Sequence, residues 1–238
     1  MNTKQIQNYF WFRVGLVCGF VSVLWLLPLV SAAATPQFLV SWQSKNYSPS
    51  WYQGKIFPTN ESMVEVSFEL MDNAKIADLS KEKIRWYVNN NLEKNEDSGL
   101  GIKSLRFSMS DYPGRTTEVR IEIFHYKGGD VIGKIINIPS VWPEVVVDAP
   151  YADNKIGVGS SVFKAFPFFF NVKNFYDLSA ELSAMGQRVE GSGVNAWTLN
   201  LNIDSKAPKG TEINLSVSVK SLLKELEFAS KSVQLRVK

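Results

Sequence analysis

The chain is poor in the residues that most often carry chemistry or covalent staples. Of its 238 residues, one is cysteine (Cys18) and one is histidine (His125). A single cysteine excludes an intramolecular disulfide framework and a cysteine-built zinc site. A single histidine excludes a His-rich metal centre and rests any His-dependent catalysis on one residue. The sequence has no Gly-rich phosphate loop and no Gly-x-Ser-x-Gly nucleophile elbow. Hydrophobic residues make up 45%, aromatics 13% and charged residues 21%. That composition excludes a wholly disordered chain and suits one large domain or two ordinary ones.

Acidic residues are also missing from one end, since none precedes Glu61. Lys4 and Arg13 give a positive start, and Val14 to Val30 is almost wholly apolar. Pro28 and Ala32-Ala33-Ala34 follow in the positions expected of a signal-peptidase region. Residues 1–34 therefore read as a secretory signal peptide cut after Ala34, with Ala32 as an alternative site. An uncleaved anchor is the other reading, because residues 14–30 sit at the short edge of a membrane span. Cys18 lies inside the apolar run and does not read as a lipoprotein cysteine. The leader holds two of the 26 basic residues and none of the 23 acidic ones, so the formal charge of +3 falls to +1 once it is removed. A near-neutral, cysteine-free exported chain has no global attraction for nucleic acid and must be held by packing alone. This suits an extracytoplasmic or cell-surface bacterial protein.

The remainder repeats itself. Asp78-Leu79-Ser80 recurs as Asp177-Leu178-Ser179, and Trp86-Tyr87-Val88 is matched by Leu182-Ser183-Ala184. The runs starting at Ser104 and Glu118 are matched by those starting at Thr198 and Glu212, and the final strands Lys134 to Ile138 and Lys231 to Leu235 correspond. A near-constant offset of about a hundred residues is the length of one domain. The local pattern is β. Val64, Val66, Phe68 and Leu70 alternate with polar residues, as do Ile84, Trp86 and Val88, then Val119, Ile121 and Ile123. A period of two places one apolar set on one sheet face, as a sandwich strand requires. Asn89-Asn90-Asn91, Tyr112-Pro113-Gly114, Lys127-Gly128-Gly129-Asp130 and Pro208-Lys209-Gly210 punctuate the strands. The expected organisation is one sandwich over 35–139, a Pro-rich linker over 140–143 and a second sandwich over 144–238. The stiff Ser140-Val141-Trp142-Pro143 joint implies limited swing.

A Trp midway along a main strand, a Pro/Gly turn before a long alternating strand, and a last hairpin strand resemble immunoglobulin-like β-sandwiches. The whole of 36–238 resembles exported tandem Ig-like proteins of unknown function from candidate-phyla bacteria with small genomes. The resemblance implies an all-β fold of two tandem Ig-like sandwiches and carries no catalytic residues. Trp86 is its expected core anchor and Leu182 the counterpart. Trp197 and Phe168-Phe169-Phe170 are the expected anchors of the second copy.

The candidate binding residues are aromatic. Tyr47, Trp51 and Tyr52 cluster around Ser48-Pro49-Ser50, where aromatics stack on sugar rings or anchor a protein interface. The alternative is that Phe38 and Trp42 fill the first core while Trp51 and Tyr52 pack over one end of the sandwich. Phe166 to Phe170 reads as a strand buried on both faces or covered by the neighbouring domain. His125, by parity with Val119, Ile121 and Ile123, is expected on the inward face at the strand end, with no triad partners. Glu144, Asp148 and Asp153 are too few for calcium, which takes six to eight oxygens. Asn46, Asn60 and Asn214 head Asn-x-Ser sequons, which carry little weight in a bacterial chain. The sequence thus points to a non-enzymatic exported structural or interaction module with no metal or cofactor. Its partners would be a protein or a cell-envelope glycan, and membrane contact would come only through the N-terminal segment. A carbohydrate-binding module is the alternative. Open sheet edges leave association between chains unresolved.

Overall fold

A computed structural model describes residues 35–148, 153–189 and 197–238. The leader and Cys18 lie outside the described residues. The first eight strands are β1 (Gln37–Ser44), β2 (Met63–Asp72), β3 (Lys75–Ile76), β4 (Lys83–Val88), β5 (Asn91–Lys94), β6 (Ser104–Ser108), β7 (Thr116–Phe124) and β8 (Ile132–Pro139). The next eight are β9 (Glu144–Asp148), β10 (Lys155–Ile156), β11 (Gly159–Phe168), β12 (Leu178–Ala184), β13 (Gln187–Val189), β14 (Thr198–Ile203), β15 (Glu212–Ser221) and β16 (Phe228–Val237). In the first set, β2 pairs with β1, β3 and β6, facing a sheet ordered β5-β4-β7-β8. The second set repeats this as β14-β11-β9 facing β10-β16-β15-β12-β13. The chain is all-β, built of immunoglobulin-like β-sandwiches in tandem.

Alternation sets both cores. β2, β4 and β7 bury every second residue, as does β15. One core gathers Val64, Phe68, Leu70, Ile84, Trp86, Ile121 and Ile123 with their neighbours. The other gathers Phe163, Phe170, Leu182, Trp197, Leu199, Leu215 and Val217 with theirs. Trp86 is fully buried, its indole N–H donates to the Ile102 carbonyl at 2.8 Å, and its ring meets Phe68 edge-on at 5.6 Å. A large apolar body with its one polar atom satisfied is the condition under which a core accepts Trp. Trp197 is instead held by Phe175, with ring centroids 4.5 Å apart.

The pairing registers give the equivalence between copies. Trp86 stands opposite Ile121, and Leu182 opposite Val217. The Asp-Leu-Ser identity does not obey this register. Leu178 is already in β12 opposite Ser221, whereas Leu79 precedes β4. That identity is therefore out of structural phase by about three residues. His125 also departs from its expected place. The strand ends at Phe124, His125 takes a left-handed backbone with φ +56°, and its side chain is exposed. Tyr126 fills the buried place instead and donates to Asp72 at 2.8 Å. Parity holds only while the backbone stays extended.

The last strand of each copy is a sheet edge. Among the described residues β8 has no strand on its outer side, and β10 covers β16 only at Arg236 and Val237. Both edges carry a lysine where the alternation demands an apolar residue. Lys134 stands opposite the buried Ile121, and Lys231 opposite the buried Val217. Cross-strand partners share a sheet face, so each lysine starts on the core side and its long stem carries the ammonium out past the edge. A charge so placed blocks a further strand from docking.

Two outcomes follow from these placements. Trp86→Ala is expected to cost about 3–5 kcal/mol, read in urea denaturation as an early transition of the first core with the second core's transition retained. Replacing Lys134 and Lys231 together by Val is expected to leave the fold intact but produce dimers and larger species in sedimentation velocity at concentrations where the parent is unchanged.

Candidate functional site

The candidate aromatics all lie on the long connection from β1 to β2. This segment leaves the first sandwich, crosses to the second and returns. Tyr47 forms a β-bridge with Phe170: its N–H donates to the Phe170 carbonyl, and the Phe169 N–H donates to the Tyr47 carbonyl, both at 2.7 Å. The Tyr47 ring packs against Phe175 at 5.9 Å, and so belongs to the margin of the second core. The return path is tied down where the Val141 N–H donates to the Pro58 carbonyl at 3.0 Å.

Around that bridge the rings form a continuous set. Trp42 meets Phe57 at 6.0 Å, and Phe57 meets Phe169 at 5.7 Å. Tyr52 lies between Phe168 at 5.2 Å and Phe169 at 6.1 Å. Trp51 meets Phe166 at 5.3 Å and Phe168 at 5.9 Å, both edge-to-face. Such pairs add about 0.5–1.5 kcal/mol beyond area burial. Lys55 caps the first end, with its ammonium 3.8 Å from the Trp42 ring centroid and hydrogen-bonded to the Trp42 carbonyl. Burial pushes the Lys55 amine below its ordinary value. Gly54 lets the segment fold back, since a Cβ there would lie 2.4 Å from the Tyr52 ring.

Of the three candidate binding residues, Tyr47 and Tyr52 are half-buried, whereas Trp51 is 57% exposed. Two rings brace its indole, and a broad part of its surface faces solvent. Trp51 and Tyr52 do pack over the end of a sandwich, but it is the second one, on Phe166, Phe168 and Phe169. The neighbouring unit covers that Phe run.

Beneath the rings lies a polar network that no sequence pattern disclosed. Ser44, Asn46, Thr59, Ser62 and Glu227 are all buried. The Ser44 hydroxyl donates to Asn46 Oδ1 at 2.6 Å. Asn46 Nδ2 donates to Thr59 Oγ1 at 3.0 Å and to the Phe169 carbonyl at 2.6 Å. Thr59 Oγ1 donates to Glu227 Oε1 at 3.2 Å and also lies 3.0 Å from Ser62 Oγ. The Asn171 N–H donates to the same Glu227 oxygen at 2.6 Å. Outside the network, Lys224 reaches Glu61 at 2.8 Å and holds its carboxyl below the ordinary range. Phe169 sits at the centre with φ +63°, a left-handed conformation that costs a bulky residue on the order of 1–3 kcal/mol. Its N–H and its carbonyl are both taken by the crossing segment, which compensates that strain.

Other features offer less. A polar cleft at the opposite pole is lined by Asp72, Ile76, Asp78, Glu82, Tyr126 and Lys127. Its best-placed carboxylate is already engaged, because Tyr126 and Lys127 both donate to Asp72, at 2.8 and 2.5 Å. Glu144 and Asp148 are exposed on β9, and Asp153 accepts from the Lys155 N–H. Among the described residues, no group of three His, Cys, Asp or Glu side chains is arranged to hold a metal ion. The Asn46 sequon is occupied by the network, so its side chain does not face solvent.

No protein-family model matches the chain, and no curated protein matches it significantly. Solved structures do. Three N-terminal domains of the bacteriophage RB49 highly immunogenic outer capsid protein align over 84% of this chain and 59% of that one, at 12% identity and TM-score 0.42. The Sidekick-1 immunoglobulin domains 1–4 align over 86% and 70%, at 8% identity and TM-score 0.29. A Bacteroides ovatus protein of a mixed-linkage glucan utilization locus, solved with a mixed-linkage heptasaccharide, aligns over 86% and 47%, at 11% identity and TM-score 0.26. At these identities and scores the likeness concerns β-sandwich architecture alone, and the chain spans well under two thirds of the phage and Bacteroides chains.

Asn46→Ala removes the donor and acceptor that link Ser44, Thr59 and Phe169. An unsatisfied buried partner costs about 1–3 kcal/mol. The variant is expected to keep both cores yet separate their urea transitions, read as two midpoints by intrinsic fluorescence where the parent shows closer coupling.

Proposed function

We propose that this chain is an exported, non-enzymatic interaction module that works outside the cytoplasm or at the cell surface, as two sandwiches held at a fixed angle. The observation that carries this reading is the joint. The crossing segment contributes a two-bond β-bridge, a row of edge-to-face rings and a buried hydrogen-bond network to the contact between the copies. A chain whose copies only needed tethering would require the Pro-containing linker and nothing more. A fixed angle is useful where a surface made by both copies meets a partner.

Export rests on the leader at 1–34. The boundaries at 139 and 144 and the kinship with candidate-phyla proteins rest on the repeat and the sequence resemblance. The proposed binding surface centres on Trp51, with Tyr52 and Tyr47 as its support. A single braced, exposed indole over a rigid base matches the anchors that dominate protein interfaces. The same flat ring suits a sugar, so carbohydrate binding is the second reading, favoured by the orientation of Trp51 on Phe166 and Phe168.

The test is binding of the chain to isolated cell envelope from the producing cell, before and after protease or glycan-cleaving treatment. Binding that protease abolishes supports a protein partner, and binding that glycan cleavage abolishes supports the second reading. Trp51→Ala is expected to weaken either by about tenfold, the loss of some 1.4 kcal/mol typical of an anchor residue. Equal binding by parent and variant removes Trp51 from the site, and no binding to any envelope preparation overturns the interaction reading.

A further inference from the structure

Glu227 lies in the loop between β15 and β16, and its side chain closes the joint from the second sandwich. It is 8% exposed. Its Oε1 accepts from the Asn171 N–H of its own sandwich at 2.6 Å and from Thr59 of the crossing segment at 3.2 Å. Its Oε2 is buried and meets no hydrogen-bond partner among the described residues. One oxygen is thus served twice and the other not at all. An ionised carboxylate in that position keeps negative charge on an oxygen shut off from bulk solvent and without a protein donor, which is costly, whereas a neutral carboxyl carries no such penalty.

The charged groups that bear on Glu227 are few. Lys224 on its own loop favours the ionised form, and Glu61 from the first sandwich opposes it. These two are paired with each other and partly exposed. Asn46, Thr59, Ser62 and Asn171, the network around it, are neutral. Burial outweighs the hydrogen bonds from Asn171 and Thr59, so the carboxyl sits above the ordinary glutamate range.

We infer that Glu227 makes the joint a pH-dependent clasp: with the carboxyl protonated the two sandwiches are held most firmly, and ionisation loosens them. Undocking would open Glu227 to water and return its carboxyl to the ordinary range. The docked value lies above the undocked one. The contribution is therefore complete below the ordinary glutamate range and is lost as pH rises through the docked value. The Glu61–Lys224 pair runs the other way. The Glu61 carboxyl is depressed, so that pair contributes above the ordinary range and fades as pH falls through its lowered value. It is exposed, and exposed pairs are weak and screened by salt. The clasp is accordingly tighter in acidic solution and slackens as pH rises through the docked value of Glu227. Nothing in this inference depends on what the Trp51 surface binds.

Hydrogen exchange with mass detection on the whole chain tests it, with rates corrected for the intrinsic effect of pH. Peptides covering Tyr47 and Phe169 to Asn171 report the joint, and peptides from β7 and β15 report the cores. From pH 4 to pH 8, protection of the joint peptides is expected to fall several-fold, by somewhat under tenfold if docking changes the proton affinity of Glu227 tenfold, while the core peptides stay constant. E227Q keeps the shape without the charge and is expected to stay protected at every pH. E61Q is expected to retain the parent's slope. A parent joint with flat protection, or an E227Q joint that follows the parent's slope, overturns the inference. Loss of protection in the β15 peptide of E227Q would mark a folding defect, and the parent's own slope then decides the matter.

Discussion

Asn46 is the residue on which the arrangement turns. Its amide is buried, and its two polar atoms find three partners in different parts of the chain: Oδ1 accepts from Ser44 of β1, while Nδ2 donates to Thr59 of the crossing segment and to the Phe169 carbonyl of the second sandwich. A buried amide with one bond missing would cost more than the bond contributes when made. The network is therefore satisfied together or abandoned together, and it is satisfied only when the two sandwiches are docked. The rings above it add area and geometry. The network adds the requirement that the docking be this one.

That requirement explains a backbone conformation that alternation alone would not allow. Phe163, Ala165 and Pro167 follow the inward rhythm of β11, Phe166 and Phe168 take the opposite face, and then Phe169 turns left-handed. The turn presents its carbonyl to Asn46 and its N–H to Tyr47. It also lets Phe168, Phe169 and Phe170 serve different surfaces, with Phe170 in the second core, Phe169 on Phe57, and Phe168 beneath Trp51 and Tyr52. Three consecutive rings can face three environments only where the strand stops being a strand.

Much of the fold was legible from period two, because alternation is a local consequence of extended backbone. The runs at Val64, Ile84, Val119 and Ile213 show it plainly. The sequence marked Lys134 and Lys231 only as the starts of corresponding final strands; the cross-strand register is what puts them on the core side. Where the backbone left the extended region, parity misled: His125 turned outward and Tyr126 took its place. The Asp-Leu-Ser identity misled for another reason, since it lies ahead of the strand in one copy and enters the strand in the other, so three shared residues did not fix the register. The joint was not legible. Thr59 and Glu227 are 168 positions apart, and Asn46 and Phe169 are 123 apart. Neither pair belongs to a motif, and buried Asn, Thr and Glu look in sequence like any solvated loop residues. The aromatic content of the β1–β2 connection was the one available hint, and it pointed to the right segment without saying that another sandwich was its main occupant.

The placement of Trp51 joins the two halves of the argument. The residue belongs to a connection of the first sandwich, but the rings that brace it, Phe166 and Phe168, belong to the second. Its exposed face in this orientation therefore exists only in the docked arrangement. Anything that stacks on that face binds the docked form more tightly than the open one, and so stabilises the joint by its binding free energy. By linkage, anything that tightens the joint must strengthen that binding by the same factor. Asn46, Thr59 and Glu227 touch no part of the exposed surface, yet they set how much of the chain is competent to present it. In a cysteine-free pair of sandwiches, where no covalent staple fixes the angle, a buried polar network performs that task and makes the angle responsive to the solution around it.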